Sequence, residues 1–176
     1  MKRICTIAAL TLSALLLTAS AASAVGTTTV NFANAPSGTH FAGGTSEPTC
    51  TVSGTLVTCP ATAFQLAGVG NANATEQVTA TYSQTIDCRN NGGQVVESHQ
   101  TTGTASSPPV SLTSSKNGRL EVTPVMVNAP SGGFQPQASC PNPNWTPEAR
   151  GAPTLTSFTY TLTFAGFTSP AITIVG

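Results

Sequence analysis

The stretch TEQVTATYSQTIDCRNNGGQVVESHQTTG, residues Thr75 to Gly103, decides how the chain is read. Val78, Ala80, Tyr82, Ile86 and Cys88 alternate with Thr79, Thr81, Ser83, Thr85 and Asp87. A period of two marks a strand with one buried face. Gln84 alone interrupts the apolar series. Asn90-Asn91-Gly92-Gly93 then supplies residues that tolerate positive φ, so the chain reverses there into a second strand. The register stays open. A two-residue Asn91-Gly92 turn puts Val95 opposite Cys88, and a three-residue loop puts Val96 there. One step turns every side chain to the other face.

Before this hairpin lies a shorter one. Cys50 and Cys59 flank TVSGTLVT, centred on Gly54-Thr55, a pair suited to a type II′ turn. Counting back pairs Ser53 with Leu56, Val52 with Val57 and Thr51 with Thr58. The two cysteines then face each other at a non-hydrogen-bonded position, with Cα atoms about 4.5 Å apart, which a disulfide tolerates. By elimination Cys88 pairs with Cys140. No CxxC redox motif is present, and the spacings fit no zinc site.

The first 24 residues read as an export signal. Lys2 and Arg3 precede an apolar stretch from Ile4 to Leu17, and Ala22-Ser23-Ala24 offers a small-x-small cleavage site. The apolar stretch is too short to span a membrane, so no stable anchor is expected. Residues 25–176 are then a single exported domain, long enough for a core of its own. That segment holds four basic side chains (Arg89, Lys116, Arg119, Arg150) against six acidic ones, a net charge of 4 − 6 = −2. So few cations cannot neutralise a run of phosphates, which argues against nucleic acid as a partner. Threonine and serine supply the polarity instead, and threonine's branched Cβ suits the pleat.

Thr27 to Phe32, Thr62 to Leu66, Arg119 to Val127 around Pro124, Thr154 to Phe164 and Ile172 to Ile174 add further strands. Pro124 marks an edge or a bulge. Residues 128–153 are dense in Pro and Gly and read as one long loop, pinned through Cys140. Eight to ten short strands without a helix in the exported part predict an all-β fold, an immunoglobulin-like antiparallel β-sandwich with two disulfides.

Catalytic residues are scarce. His40 and His99 are the histidines, Asp87 is the sole aspartate, and no Gly-x-Ser-x-Gly elbow is present. Asp87 is expected to accept hydrogen bonds within its turn. Asp87, Glu97 and His99 would make a minimal metal site only in one register. Neither a catalytic centre nor a metal or cofactor site is expected, and Gly68-Val69-Gly70 lacks the strand-to-helix setting of a phosphate loop. Trp145 and Asn144 in the pinned loop, with Phe134, are the candidate binding surface, for a cell-envelope glycan or protein. The alternative is an exported hydrolase assembled from scattered Ser, His and carboxylates.

As a set, Asp87 to Val96 (DCRNNGGQVV), Lys116 to Leu120 (KNGRL) and Cys140 to Thr146 (CPNPNWT) resemble a group of small exported actinobacterial proteins. The resemblance covers most of the exported segment. It implies export and the Cys88–Cys140 pairing, and carries no functional residues with it.

Overall fold

The computed structural model describes residues 23–176. The leader expected over the N-terminal residues lies outside the described residues, apart from Ser23 and Ala24 at the expected cleavage site, whose backbone opens the first strand. Thirteen strands follow in order: β1 (Ser23–Val25), β2 (Thr27–Val30), β3 (His40–Phe41), β4 (Cys50–Ser53), β5 (Leu56–Cys59), β6 (Phe64–Ala67) and β7 (Ala74–Arg89). They continue with β8 (Val95–Ser106), β9 (Val110–Leu112), β10 (Arg119–Val122), β11 (Val125–Val127), β12 (Thr146–Phe164) and β13 (Ile172–Val175). Two short 3₁₀ turns, Phe32–Asn34 and Gln135–Gln137, are the only helical pieces among the described residues. The fold is all-β and every strand pairing is antiparallel.

The strands form three sheets. One runs β1-β4-β5-β11, a second β10-β6-β3, and the large one β2-β13-β12-β7-β8, with β9 continuing along β7 where β8 ends. Thr123 and Pro124 separate β10 from β11, and those two strands belong to different sheets. The proline therefore sits where the chain leaves one sheet for another, which explains why it costs no ladder hydrogen bond.

The core is the apolar series of β7 packed with its counterparts. Val78, Ala80, Tyr82 and Ile86 are fully buried, as are Tyr160, Leu162, Ile172 and Ile174 from β12 and β13 and Leu66 and Leu120 from the small sheet. Burial of side chains of this size contributes about 1.5–3 kcal/mol each. The Tyr82 hydroxyl donates to the Thr55 carbonyl (2.9 Å), tying the short hairpin to the long one.

Both disulfides form as expected. Cys50–Cys59 closes the short hairpin with Cα atoms 4.5 Å apart, and the pairs Ser53/Leu56, Val52/Val57 and Thr51/Thr58 are those counted from the sequence. Gly54 has φ +61° and no non-glycine residue among the described residues has positive φ, so the turn takes its positive φ at its first central position only, as type II′ requires. Cys88–Cys140 spans the large sheet and the long loop.

Two expectations change. The last long strand begins at Thr146 rather than Thr154, so the end of the expected loop is sheet. Pro147 hid this in the sequence. Ser107 N–H donates to Val78 O (2.9 Å), which fixes Val78/Ser107 as a hydrogen-bonded pair and, by alternation, Cys88/Glu97 as another. Cys88 thus turns its backbone groups toward β8, and Pro147, opposite it on β12, would have turned its missing N–H away from β7. No ladder bond is lost. The turn follows the three-residue alternative, but beyond it the register departs from both. The Gly93 N–H bonds Asn90 O (2.8 Å) and Gly93 has φ +78°, a three-residue loop that pairs Arg89 with Val95. Val96 is then extruded as a bulge, and Glu97 stands opposite Cys88.

Candidate binding surface

The structure distributes the polar groups of the large sheet over two faces. On the loop-covered face, Phe134 is fully buried and stacks on Tyr82 with ring centroids 6.2 Å apart. This removes Phe134 from the candidate binding surface: it anchors the loop. A methyl group at Gly103 on β8 would overlap the Phe134 ring, so the absence of a side chain there makes its seat. Gln84, the one polar break in the apolar series, is the second anchor. Its Oε1 accepts from the Phe134 N–H (2.7 Å) and its Nε2 donates to Gly151 O (2.7 Å), so the buried amide holds the loop and β12 together. The Cys88–Cys140 disulfide is the third.

Beyond these anchors an open groove of about 340 Å³ is lined by Glu97, His99, Ser139, Cys140 and Pro141. Trp145, further along the loop, is half-buried, and Asn144 is exposed. The Asn144 N–H donates to Asn142 Oδ1 (2.9 Å) and the Trp145 N–H to Asn142 O (3.0 Å), a tight turn that delivers the chain into β12. No hydrogen bond joins His99 to Glu97 or Ser139. His40 lies elsewhere, on β3, with Nδ1 2.7 Å from Gly38 O.

Asp87 faces the other way. The bulge at Val96 sets Ser98, not Glu97, opposite it. The Ser98 hydroxyl donates to Asp87 Oδ1 (2.7 Å), and the Arg150 guanidinium from β12 grips both carboxylate oxygens, at 2.7 and 2.9 Å. The Ser98 hydrogen bond, with Arg150 and then Arg89 behind it, holds the Asp87 carboxyl below the usual aspartate range. Asp87 is thus an acceptor across three strands and not within its turn. There the Asn90 side chain does the work, accepting from Gly92 N and Gln94 N at 3.0 Å each. Arg89 and Glu148 form a second ion pair beside it. With Asp87 on one face and Glu97 and His99 on the other, the three residues do not converge. Among the described residues no group of three or more His, Cys, Asp and Glu is placed to hold a metal ion.

From Thr85 toward the opposite end, the outer face of the large sheet changes character. Thr159, Thr79 and Ser106 lie in one cross-strand row, with Thr79 Oγ1 and Ser106 Oγ 2.8 Å apart. The next row is Ser157, Thr81 and Thr104, and the one after it Thr154, Ser83 and Thr102. Toward β2 the row Thr29, Thr173, Thr161 continues the pattern. These side chains are exposed or half-exposed, and none of the rows contains a charge. Single residues such as Thr79 or Thr161 were legible as outward-facing. Their alignment across five strands follows from pairings that only the fold supplies.

A charged residue at a core position was also readable, since Glu76 falls between Ala74 and Val78 in the buried series. Glu76 is fully buried, accepts from the Tyr160 hydroxyl (2.8 Å) and leaves Oε1 without a partner. Burial, opposed by the Tyr160 hydrogen bond, pushes its carboxyl up to about 7. Burial and the adjoining carboxyl likewise raise the Tyr160 hydroxyl.

Compared with protein-family models, curated proteins and solved structures, the chain matches none.

Proposed function

We propose that this is an exported, non-catalytic module, an immunoglobulin-like sandwich in architecture, that binds a neutral glycan of the cell envelope through the outer face of its large sheet. One observation carries this reading: consecutive cross-strand rows of Thr and Ser hydroxyls without a charge among them. Each hydroxyl both donates and accepts, which matches the hydroxyls of a sugar, and each threonine methyl offers a small apolar contact. Every such contact is weak, so a polymer touching several rows is favoured over a single sugar. The sheet rotates by roughly 20–25° per strand, which suits a flexible chain better than a flat crystal face. The two disulfides and the resemblance to exported proteins support release from the cell.

The test is co-sedimentation of the purified protein with isolated cell-wall polysaccharide. The face variant Thr81→Asp with Thr159→Asp should lose recovery, while Trp145→Ala with Asn144→Ala should keep it. Equal recovery of the face variant removes this surface from the reading, and no recovery of the wild type removes glycan binding altogether. The groove that gathers Glu97, His99 and Ser139 favours a second reading, an exported hydrolase. Hydrolysis of ester substrates by the wild type and not by His99→Ala would establish that reading instead.

A further inference from the structure

An unpaired strand edge is a template for another strand, and proteins usually keep such edges short or guard them with proline, lysine or a bulge. Here β1, β2, β3, β9, β10 and β11 are edges of two to four residues. The free margin of β12 ahead of β13 is broken by Pro147 and Pro153. β8 is different. It has twelve residues, none of them buried, with neither proline nor lysine, and its bulge lies at the turn end. The alternation set by Val78/Ser107 turns the backbone groups of Ser98, Gln100, Thr102 and Thr104 away from β7, where no strand meets them.

We propose that β8 pairs with β8 of a second copy of this chain, antiparallel about a twofold axis at Ser98. The outward backbone groups limit the registers, because only residues of that set can form hydrogen-bonded pairs with one another. Among the allowed registers the charges select one. An axis at Glu97 sets two carboxylates face to face, and an axis at His99 sets two imidazoles. The axis at Ser98 places Glu97 of each copy opposite His99 of the other, at non-hydrogen-bonded positions where side chains approach most closely. The same register brings Gln100 of one copy over Val96 of the other. Val95 and Val96, exposed by 41% and 46%, are two of the few large apolar side chains left open to solvent among the described residues, and both adjoin this edge. The interface is isologous, as a twofold pair requires. It also joins the two large sheets edge to edge, with the Asp87–Ser98 rows of the two copies meeting at the axis and the hydroxyl rows lying further out on the same face. The pairing rests on β8 alone and not on the glycan reading.

Sedimentation equilibrium of the purified, disulfide-bonded chain over a concentration series tests it without any ligand. A monomer–dimer equilibrium is expected. His99→Glu, which sets Glu97 against a carboxylate twice per dimer, should weaken association about tenfold or more. Combining it with Glu97→His exchanges the two side chains and should restore dimerisation, a rescue that a purely structural role for either residue would not give. Thermal melts confirm that each variant is folded. A wild type that is monomeric at every concentration overturns the proposal. So does a dimer that His99→Glu leaves unchanged, or one that the exchanged pair fails to restore.

Discussion

Glu97 stands opposite Cys88, one position away from Asp87, because Val96 is extruded from the ladder. Had β8 run on without the bulge, Glu97 would face Asp87 and the two carboxylates would repel on one surface. The bulge instead delivers Ser98 to Asp87 as a donor and turns Glu97 and His99 into the groove beside Cys140.

Deletion of Val96 should therefore be tolerated. It removes the extra residue while Arg89/Val95 and Cys88/Glu97 keep their partners. The melting temperature should move by only a few degrees, equivalent to about 1 kcal/mol. Deletion of Glu97 leaves Val96 available to pair with Cys88 but removes the groove carboxylate. Ser98-to-Asp87 contact, followed by NMR of the Ser98 hydroxyl and amide, should survive the Val96 deletion.

The loop is held at three points, and these should fail separately. Cys88→Ser with Cys140→Ser removes a cross-link over 52 residues, a loss of about 4 kcal/mol in the chain-entropy model. Limited proteolysis should then cut near Ser139 to Trp145 while Phe134 stays protected by Gln84 and Tyr82. Gly103→Val should give the reverse: the side chain evicts the Phe134 ring, costs about 1–3 kcal/mol, and opens residues near Gly133 with the disulfide intact.

Glu76 makes stability depend on pH in a direction opposite to most carboxylates. Its folded-state value of about 7 lies above the ordinary 4.5, so the native chain keeps a proton that the unfolded chain releases. The stabilisation is complete below about pH 4.5 and declines as pH rises toward 7, by on the order of 2 kcal/mol. Glu76→Gln keeps a neutral side chain of the same shape that still accepts from Tyr160. Melting temperatures from pH 4 to pH 8 should fall in the wild type and stay flatter in the variant, with the largest gain at pH 8.

Asp87 works with the usual sign. Its folded-state value is lowered, chiefly by the Ser98 hydrogen bond, so its contribution is present above the ordinary aspartate range and is lost as pH falls through the depressed value. Ser98→Ala and Arg150→Gln should each lower stability at neutral pH and flatten its dependence on acid, converging with the wild type at low pH. Hydrogen exchange should show the change first at the turn end of β7 and β8.

The parts of this fold that depend on local chemistry could be read directly. The Gly54-Thr55 turn dictates the pairing up to Cys50 and Cys59, and the alternation of β7 names its buried face residue by residue. What escaped was set by partners distant in sequence. The Val96 bulge depends on the match between β7 and β8 beyond the turn. Residues 146–153 look like loop because Pro147 ordinarily forbids a central strand, and only the direction of its missing N–H shows why this one is tolerated. Phe134 looked like a surface aromatic until Gly103, thirty-one residues earlier, proved to be the floor beneath it. Gln84 was visible as an exception, and exceptions in a clean series mark the places where something else attaches.

Pro147 has one more effect. Its carbonyl, turned away from β7, is taken by the Gln135 side chain at 3.1 Å, so that margin of β12 offers an incoming strand neither a free donor nor a free acceptor at this point. The large sheet thus offers a long open margin only along β8; on the other side β12 is interrupted here and the outer edge, β2, is four residues long. A chain with two receptive margins could add copies without limit and grow into a fibre. A β8–β8 pair would instead be closed by its own twofold axis, leaving only the four-residue β2 as an outer edge on each copy.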